Sequence, residues 1–324
     1  MNAQTRQYKQ LTQGKRYQIE ALLGKDHMQK EIAEAIGISE SALSRELRRN
    51  TSDGGYCAET AHALAVRRRV SASKFSKSDE RHMPVIRKGL LLGWSPENIS
   101  QRMKVEVPDI ALSHTTVYNR IADEKARGGS LYKDLPRFGK GRCKGGKRKA
   151  GRSLIPNRTD ITERPEVVDL RSRLGDWEGD TVYGQDAYLV TLVDRKSRFT
   201  LIGKVDTKQA ETVSACMINL LKRVPLVHTI TLDNGGEFAA HEKVAKEVNT
   251  DIYFAKPYAS YQRGTNENTN GLIRRTWPKK MSLGHLKEDD IRTMEVLINT
   301  MPRKVLDGRT PLEAYTGQSI ALIA

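Results

Sequence analysis

From about residue 174 the hydrophobic period of this chain changes, and that change limits the folds open to it. Upstream, apolar residues recur at helical spacing. Downstream, runs rich in β-branched and aromatic residues alternate with helical runs. Strands are expected at 177–183, 187–193 and 199–205, joined by a Gly184-Gln185-Asp186 turn and a second turn at 194–198, so the three make an antiparallel meander. Asp206 or Thr207 is placed to cap a helix running to about Arg223. A strand at 228–232, a helix near 237–248, a strand at 251–255 and a helix from about 265 follow. The order β-β-β-α-β-α-β-α predicts a mixed α/β domain whose helices cover a mainly five-stranded sheet. The tail, 287–318, reads as helical, with a turn at Asp307-Gly308 and a stop at Pro311.

Residues 15–50 predict three short helices. Ile19, Leu22 and Leu23 give the apolar face of the first, and Ile32, Ala33 and Ile36 that of the second. Gly37 supplies a turn, Ile38 packs, and Ser39 caps a third helix to about Arg49. Leu43 and Leu47 face inward, which leaves Ser41, Ser44, Arg45 and Arg48 outward. This is a helix-turn-helix pattern whose exposed face can donate hydrogen bonds in a major groove. A second such unit is expected at 94–127, where Ser95-Pro96-Glu97 starts a helix bearing Ile99 and Met103. Ser113 caps another bearing Val117 and Ile121, with His114, Thr115, Tyr118 and Asn119 available to DNA.

The 324 residues carry 55 Lys+Arg against 39 Asp+Glu, a net charge of +16. Residues 1–160 hold 32 basic and 17 acidic residues, whereas 161–324 hold 23 and 22. The excess therefore sits in the N-terminal half, as expected of a half that binds a polyanion, nucleic acid first. No polybasic stretch lies beside an apolar anchor, and no 18-residue apolar run or leader appears, so no membrane partner is expected and a bacterial cytoplasmic, nucleoid-associated location is. Cys57, Cys143 and Cys216 lack zinc-ligand spacing. The expected domains are 1–52, 53–132, a basic Gly-rich linker at 133–165, and 166–324. Lys147 and Arg148 in that linker are candidates for phosphate contact, in a segment too polar and Gly-rich to build a core.

Three acidic motifs stand out in the second half: WEGDT around Asp180, TLDNGGEF around Asp233, and RGTNENTNGLIRR around Glu267. Asp180 is predicted mid-strand on a central strand, where an Asp followed by β-formers is unfavourable without a role. Asp233 ends the fourth strand, where ligands gather in parallel α/β sheets. Glu267 opens the last helix, which can lie across the sheet. Converging carboxylates suit hard divalent cations acting on phosphate. Two Mg²⁺ ions, with Mn²⁺ able to substitute, are expected, Asp180 bridging both, Asp233 holding one and Glu267 the other. Glu178 shares a strand face with Asp180 and is a fourth candidate. Arg274 shares the face of Glu267, and it and Arg275 are candidates for DNA phosphate. Asp194 is read as shaping its turn and Trp177 as core.

The chain resembles the DDE transposases of bacterial insertion sequences, specifically the insertion-sequence-thirty family. RSRLGDWEGDTVYG (171–184), VDRKSR (193–198), TLDNGGEF (231–238), RGTNENTNGLIRR (263–275) and PRKVLDGRTPLEAY (302–315) carry the resemblance, with IAEAIGISESALSRELRRN (32–50) and IPNRTDITERP (155–165). It implies a ribonuclease H-like, retroviral-integrase-type catalytic domain behind an all-α helix-turn-helix region, with Asp180, Asp233 and Glu267 as the catalytic triad. It implies binding to terminal inverted repeats, Mg²⁺-dependent cleavage, and strand transfer into target DNA without a covalent protein–DNA intermediate. Paired ends imply a homodimer or larger assembly on DNA. The rival readings are a helix-turn-helix regulator whose second domain only assembles, and a nuclease that cuts without joining.

Overall fold

Two units make up the chain, Met1–Ser76 and Lys77–Ala324; the computed structural model describes residues 10–52, 54–71, 80–139, 155–256 and 264–323. The middle of the expected linker, 140–154, with Lys147 and Arg148, lies outside the described residues.

In the first unit, α1 (Gln13–Leu23), α2 (Gln29–Ala35) and α3 (Glu40–Asn50) enclose Ile19, Ile32, Ala33, Ile36 and Leu43. Gly37 takes φ +62° between α2 and α3, and the Ser39 hydroxyl accepts from the Ala42 N–H at 3.3 Å. Both features were legible in the sequence. A small hairpin, β1 (Thr51–Ser52) with β2 (Gly55–Tyr56), leads to α4 (Ala58–Ser71). Arg16 on α1 is buried against Glu46 on α3, with Nε to Oε1 at 2.6 Å. Arg68 on α4 donates to the carbonyl of Arg49 at 3.2 Å and to the side chain of Asn50. The helix α4 thus closes the first unit, and the boundary expected at residue 52 falls inside it.

The second unit begins with α5 (His82–Leu91), α6 (Pro96–Glu106) and α7 (His114–Ala126). Ser95 and Ser113 cap α6 and α7 by accepting from Asn98 N–H (3.3 Å) and Thr116 N–H (3.2 Å). Their core of Ile86, Leu90, Ile99, Met103, Val117 and Ile121 also takes in Leu272, Met301 and Ile323 from far down the chain. Arg102, fully buried, pairs with Glu106 on its own helix and with Glu313 at 2.6 Å, and donates to the carbonyls of Gly308 and Ile320. These helices therefore belong to one body with the α/β domain.

That domain holds β3 (Thr159–Asp160), α8 (Glu166–Asp169), β4 (Asp176–Tyr183), β5 (Tyr188–Asp194), β6 (Thr200–Val205), α9 (Ala210–Leu221), β7 (Thr229–Leu232), α10 (His241–Val248), β8 (Asp251–Phe254), α11 (Gly264–Thr276), α12 (Glu288–Asn299) and α13 (Pro311–Thr316). The sheet order is β3-β8-β7-β4-β5-β6, with β4, β5 and β6 antiparallel and β7, β8 and β3 parallel. The meander and the element order match expectation, and short β3 adds a sixth strand. Side chains alternate across β4. Trp177 joins the core beneath α9 and α10, while Val182 joins that beneath α11 and α12. Glu178 and Asp180, sharing the parity of Val182, face α11.

Two details depart from the sequence reading. Gln209, not Asp206 or Thr207, occupies the cap of α9, and the Thr207 hydroxyl bonds that of Thr212 at 3.2 Å. Pro311 does not stop a helix but starts α13, because Thr310 caps it by accepting from the Glu313 N–H at 3.0 Å. Proline at the first helical position loses no hydrogen bond.

Burial pushes the Glu313 carboxyl up, but Arg102 and the backbone N–H groups of Thr310 and Ile320 outweigh it and hold its pKa at about 2. A depressed carboxylate stabilises the fold above its unfolded pKa, and that contribution disappears as pH falls through the folded value. Glu313→Gln should therefore lower the Tm clearly at pH 7, with the gap to wild type narrowing from about pH 4.5 towards 2. Scanning calorimetry at pH 7 and pH 3 checks this; an equal gap at both would overturn the assignment.

Candidate active site

The strand β4 runs parallel to β7 with Glu178 opposite Thr231. Extending that register two places sets Asp180 opposite Asp233, on strands about 4.8 Å apart. Asp233 lies just past the end of β7, where Asn234 donates from Nδ2 to the Ala255 carbonyl at 2.6 Å and pins the loop to the end of β8. The Asp233 Oδ1 accepts from the Gly235 N–H at 2.9 Å. A Cβ on Gly235 would stand 2.3 Å from Glu237 Oε2 and 2.9 Å from Asp233 Oδ1, so a larger residue there would push the two carboxylates aside.

Asp180 is half-buried and oriented from two sides. Its Oδ1 accepts from the Thr181 N–H (2.8 Å), and its Oδ2 from Asn270 Nδ2 (2.9 Å) on α11. Glu267 stands one turn before Asn270 on the same helix stripe, with its side chain exposed. Arg274 continues the stripe and donates to the Tyr183 carbonyl at 2.6 Å, beside the end of β4. The structure thus sets Asp180 on β4 and Asp233 at the end of the neighbouring β7, with α11 held against Asp180. Among the described residues no three His, Cys, Asp or Glu side chains form a group that could hold a metal ion, so the expected trio is not gathered here.

Glu178 has a different task from the one expected of a fourth ligand. It is fully buried, pairs with Arg195 at 2.5 Å, and accepts from the Asn266 N–H at 3.3 Å. It therefore fastens the first turn of α11, the turn that bears Glu267. Asp194 shapes its turn as read, accepting from Ser197 N–H (2.7 Å) and Gly175 N–H (2.8 Å), and burial pushes its pKa up. Trp177 is core, fully buried, with Nε1 donating to the Leu226 carbonyl.

Sequence reasoning missed the cluster flanking Asp233. Buried Glu237 accepts from the Thr181 hydroxyl at 2.9 Å and pairs with Lys208 at 2.9 Å. Lys208 also donates to the Tyr183 hydroxyl at 2.5 Å. Burial lowers the Lys208 pKa, but Tyr183 and Glu237 outweigh it, so the net shift is upward and the amine stays charged. Glu237 was visible inside TLDNGGEF and Asn270 stood out with Asn266 and Asn268 as able to contact DNA or order the loop, but nothing in sequence spacing marked Lys208. On α3, Ser41, Ser44, Arg45 and Arg48 are all exposed, as are Thr115, Tyr118 and Asn119 on α7 and Arg275 on α11.

Residues 172–260 match the family model described as integrase core domain, and residues 7–50 match that of a helix-turn-helix domain. The chain is 40% identical to the transposase for insertion sequence element IS4351 of Bacteroides fragilis, over 95% of both chains. It is 34% identical to the transposase for IS1086 of Cupriavidus metallidurans, over 94% of each. With transposase InsI for IS30A of Escherichia coli it shares 33% identity, over 94% of this chain and 82% of the relative. The chain belongs to the IS30 family of transposases. It is a transposase with an integrase-type catalytic core, an enzyme of the DDE class of DNA cleavage and strand transfer, and its N-terminal region is a helix-turn-helix domain. Among solved structures, the catalytic core domain of BIV integrase matches 44% of this transposase and 94% of that chain, at 21% identity and TM-score 0.35. No described helix is long and apolar enough to cross a membrane.

Removing one partner of a buried ion pair typically costs about 3–5 kcal/mol, because the other charge is left stranded. Glu178→Ala, which removes the buried partner of Arg195, leaves it the 3.6 Å pair with Asp169 and the bond to the Val168 carbonyl, and frees the Asn266 N–H, should lose a clear part of that in urea unfolding. A loss under about 1 kcal/mol would refute the account of how α11 is fastened.

Proposed function

We propose that the protein binds the terminal inverted repeats of its own element and cuts and joins DNA there, with Asp180, Asp233 and Glu267 as catalytic carboxylates. What supports this is register and helix together: the β4–β7 ladder, extended two places beyond Glu178 and Thr231, leads Asp180 toward Asp233, and the α11 stripe bearing Glu267 is tied to Asp180 through Asn270. The donors are all carboxylate oxygens, which suits Mg²⁺ or Mn²⁺. Two such ions held by the three acids would activate the attacking water or 3′-hydroxyl and stabilise the leaving oxygen.

The chain's own residues do the rest. Asn270 fixes the rotamer of Asp180, an outer-shell role that tunes a ligating carboxylate. Gly235 keeps the turn beside Asp233 thin. Arg274, on the Glu267 stripe, is placed to steady a phosphate next to the acids. Attack by water or a sugar hydroxyl needs no protein nucleophile, so no covalent protein–DNA intermediate forms. Sequence reading falls to the exposed face of α3, with Arg45 and Arg48 suited to guanine edges and Ser41 and Ser44 to nearby edges or phosphates. Thr115, Tyr118 and Asn119 on α7 offer a second exposed face. Lys147 and Arg148 add sequence-independent phosphate contacts. Two element ends require at least two protomers on DNA.

The deciding experiment is a cleavage and joining assay on labelled DNA carrying the element's end, with and without Mg²⁺, for wild type and Glu267→Gln. Mg²⁺-dependent nicked and joined products, absent in the variant, support the reading. Binding without cutting in both proteins would turn it to a DNA-binding regulator. Asp233→Asn should abolish cleavage while leaving end binding within about twofold; equal loss of both would overturn the division of labour. Arg45→Ala should narrow the ratio of specific to random binding by about tenfold, the worth of one good base contact. An unchanged ratio in competition binding would remove α3 as the reading helix.

A further inference from the structure

Four of the segments that carry the family resemblance each send a cation to one cavity, which the catalytic reading leaves without a role. Arg171 opens the segment that holds Asp180, Arg198 closes VDRKSR, Arg275 closes GLIRR, and Arg303 and Lys304 follow Pro302 in PRKVLDGRTPLEAY. All five line a cavity of about 330 Å³ in the second unit, together with Asn98, Thr265 and Asn268. Among the described residues no Asp or Glu lines it.

The cations are poorly satisfied. The Nε atoms of Arg198 and Arg303 are buried with no hydrogen-bond partner among the described residues. Arg303 otherwise reaches only the Ile298 carbonyl (3.1 Å) and the Met301 sulfur (3.7 Å). The Arg171 guanidinium makes no hydrogen bond to the described residues, although it is half-buried. Burial, then the charge of Arg171, lowers the pKa of Arg198 to about 10, against the opposite pull of Glu178. Burial, then Arg275 and Arg198, does the same to Arg303. Both stay charged at neutral pH. Crowded, partly desolvated guanidinium groups with open N–H donors are stabilised by an anion with several oxygens.

Position says which anion. Thr265, Asn268, Leu272 and Arg275 recur every three or four residues along α11 and form the cavity side of the helix. Glu267, Asn270 and Arg274 form a second side, against Asp180. At 100° per residue the centres of the two stripes stand roughly 150° apart round α11, with Asn268 and Glu267 their nearest members. A strand that crosses α11 from the carboxylates runs on toward the cavity side.

We propose that this cavity is a subsite for a backbone phosphate of the DNA strand engaged at Asp180 and Asp233, flanking the phosphate that reacts. The proposal rests on the DNA-cutting reading for its choice of ligand. By holding the neighbouring phosphate, the arginines fix where along the strand the reacting bond falls. They also offset the repulsion between DNA and the acidic site.

The test uses the full chain and three proteins: wild type, Arg171→Gln/Lys304→Gln, and a control, Lys243→Gln/Lys246→Gln, which removes two exposed charges from α10. Binding to duplex DNA carrying the element's end is measured without Mg²⁺ across a range of NaCl concentrations. One lost phosphate contact makes the slope of log K against log salt shallower by about 0.9. The cavity variant should show that change and the control should not. Lys304→Gln alone, at an exposed position, should shift the slope in the same direction if the double variant folds poorly. In Mg²⁺, the cavity variant should cut about tenfold more slowly or at displaced positions, since misplacing the strand misaligns the reacting bond. A slope and a cutting pattern equal to the control's would overturn the proposal. Wild type that binds but never cuts would instead defeat the functional reading, while the slope comparison would still judge the cavity.

Discussion

A single buried carboxylate, Glu178, sets the relation between the central strand and the helix that lies across it. It sits on β4, which has β5 on one side and β7 on the other, so its position is fixed by both ladders. With Arg195 neutralising its charge at 2.5 Å, its second oxygen is available to the Asn266 N–H. The first N–H groups of a helix have no partner within it, and a carboxylate there also meets the positive end of the helix dipole. The consequence reaches two residues further along β4. Once the first turn of α11 is fastened at Glu178, Asn270 falls within reach of Asp180, and Glu267 is carried to the same edge. A buried ion pair is weak evidence for stability on its own. Here it has a positional use that a hydrophobic replacement could not supply, because an apolar side chain cannot hold an N–H.

The element order of the α/β domain was legible because its signals are local. A change of period with turns at Gly184-Gln185-Asp186 and 194–198 marked β4, β5 and β6, and Asp233 before Asn-Gly-Gly marked the end of β7. The helix-turn-helix was legible for the same reason: Gly37 had to turn and Ser39 had to cap. What escaped was non-local. Nothing in 53–132 announces that α4 closes the first unit through Arg68, or that Arg102 reaches Glu313 far along the chain. Glu178 and Asp180 share a strand face and read alike in sequence. Only the neighbours separate them: Arg195 and the helix start meet the first, whereas Asn270 meets the second from α11. Lys208 escaped because its partners, Tyr183 and Glu237, lie on other elements.

The buried Arg102 network changes what the second helical region is. As a free-standing domain, α5 to α7 would be a reader that delivers DNA to a separate enzyme. Joined to the C-terminal tail through Glu313, Gly308 and Ile320, and sharing a core with Leu272 of α11, it is part of the catalytic body. A phosphate or base contact on α7 would then be registered rigidly against the acids on β4 and β7. Flexible tethering gives affinity through effective concentration; rigid connection gives a fixed distance along the duplex. A cut at a defined position needs the second.

Charge along α11 carries the same logic to the scale of one helix. An acidic site must accept a polyanion, and three carboxylates repel the strand they act on unless cations stand close by. Part of that offset comes from the metal ions such a site is suited to hold, but ions come and go with the reaction. The fixed part has to be built into the protein. Placing it directly among the carboxylates would pair them off and spoil them as ligands. Placing it round the far side of the same helix, in a cavity lined by no acid among the described residues, keeps the two charges apart on one element. Arg198 and Arg303 are then left under-satisfied in the protein alone, a cost accepted where binding, rather than folding, supplies the partner.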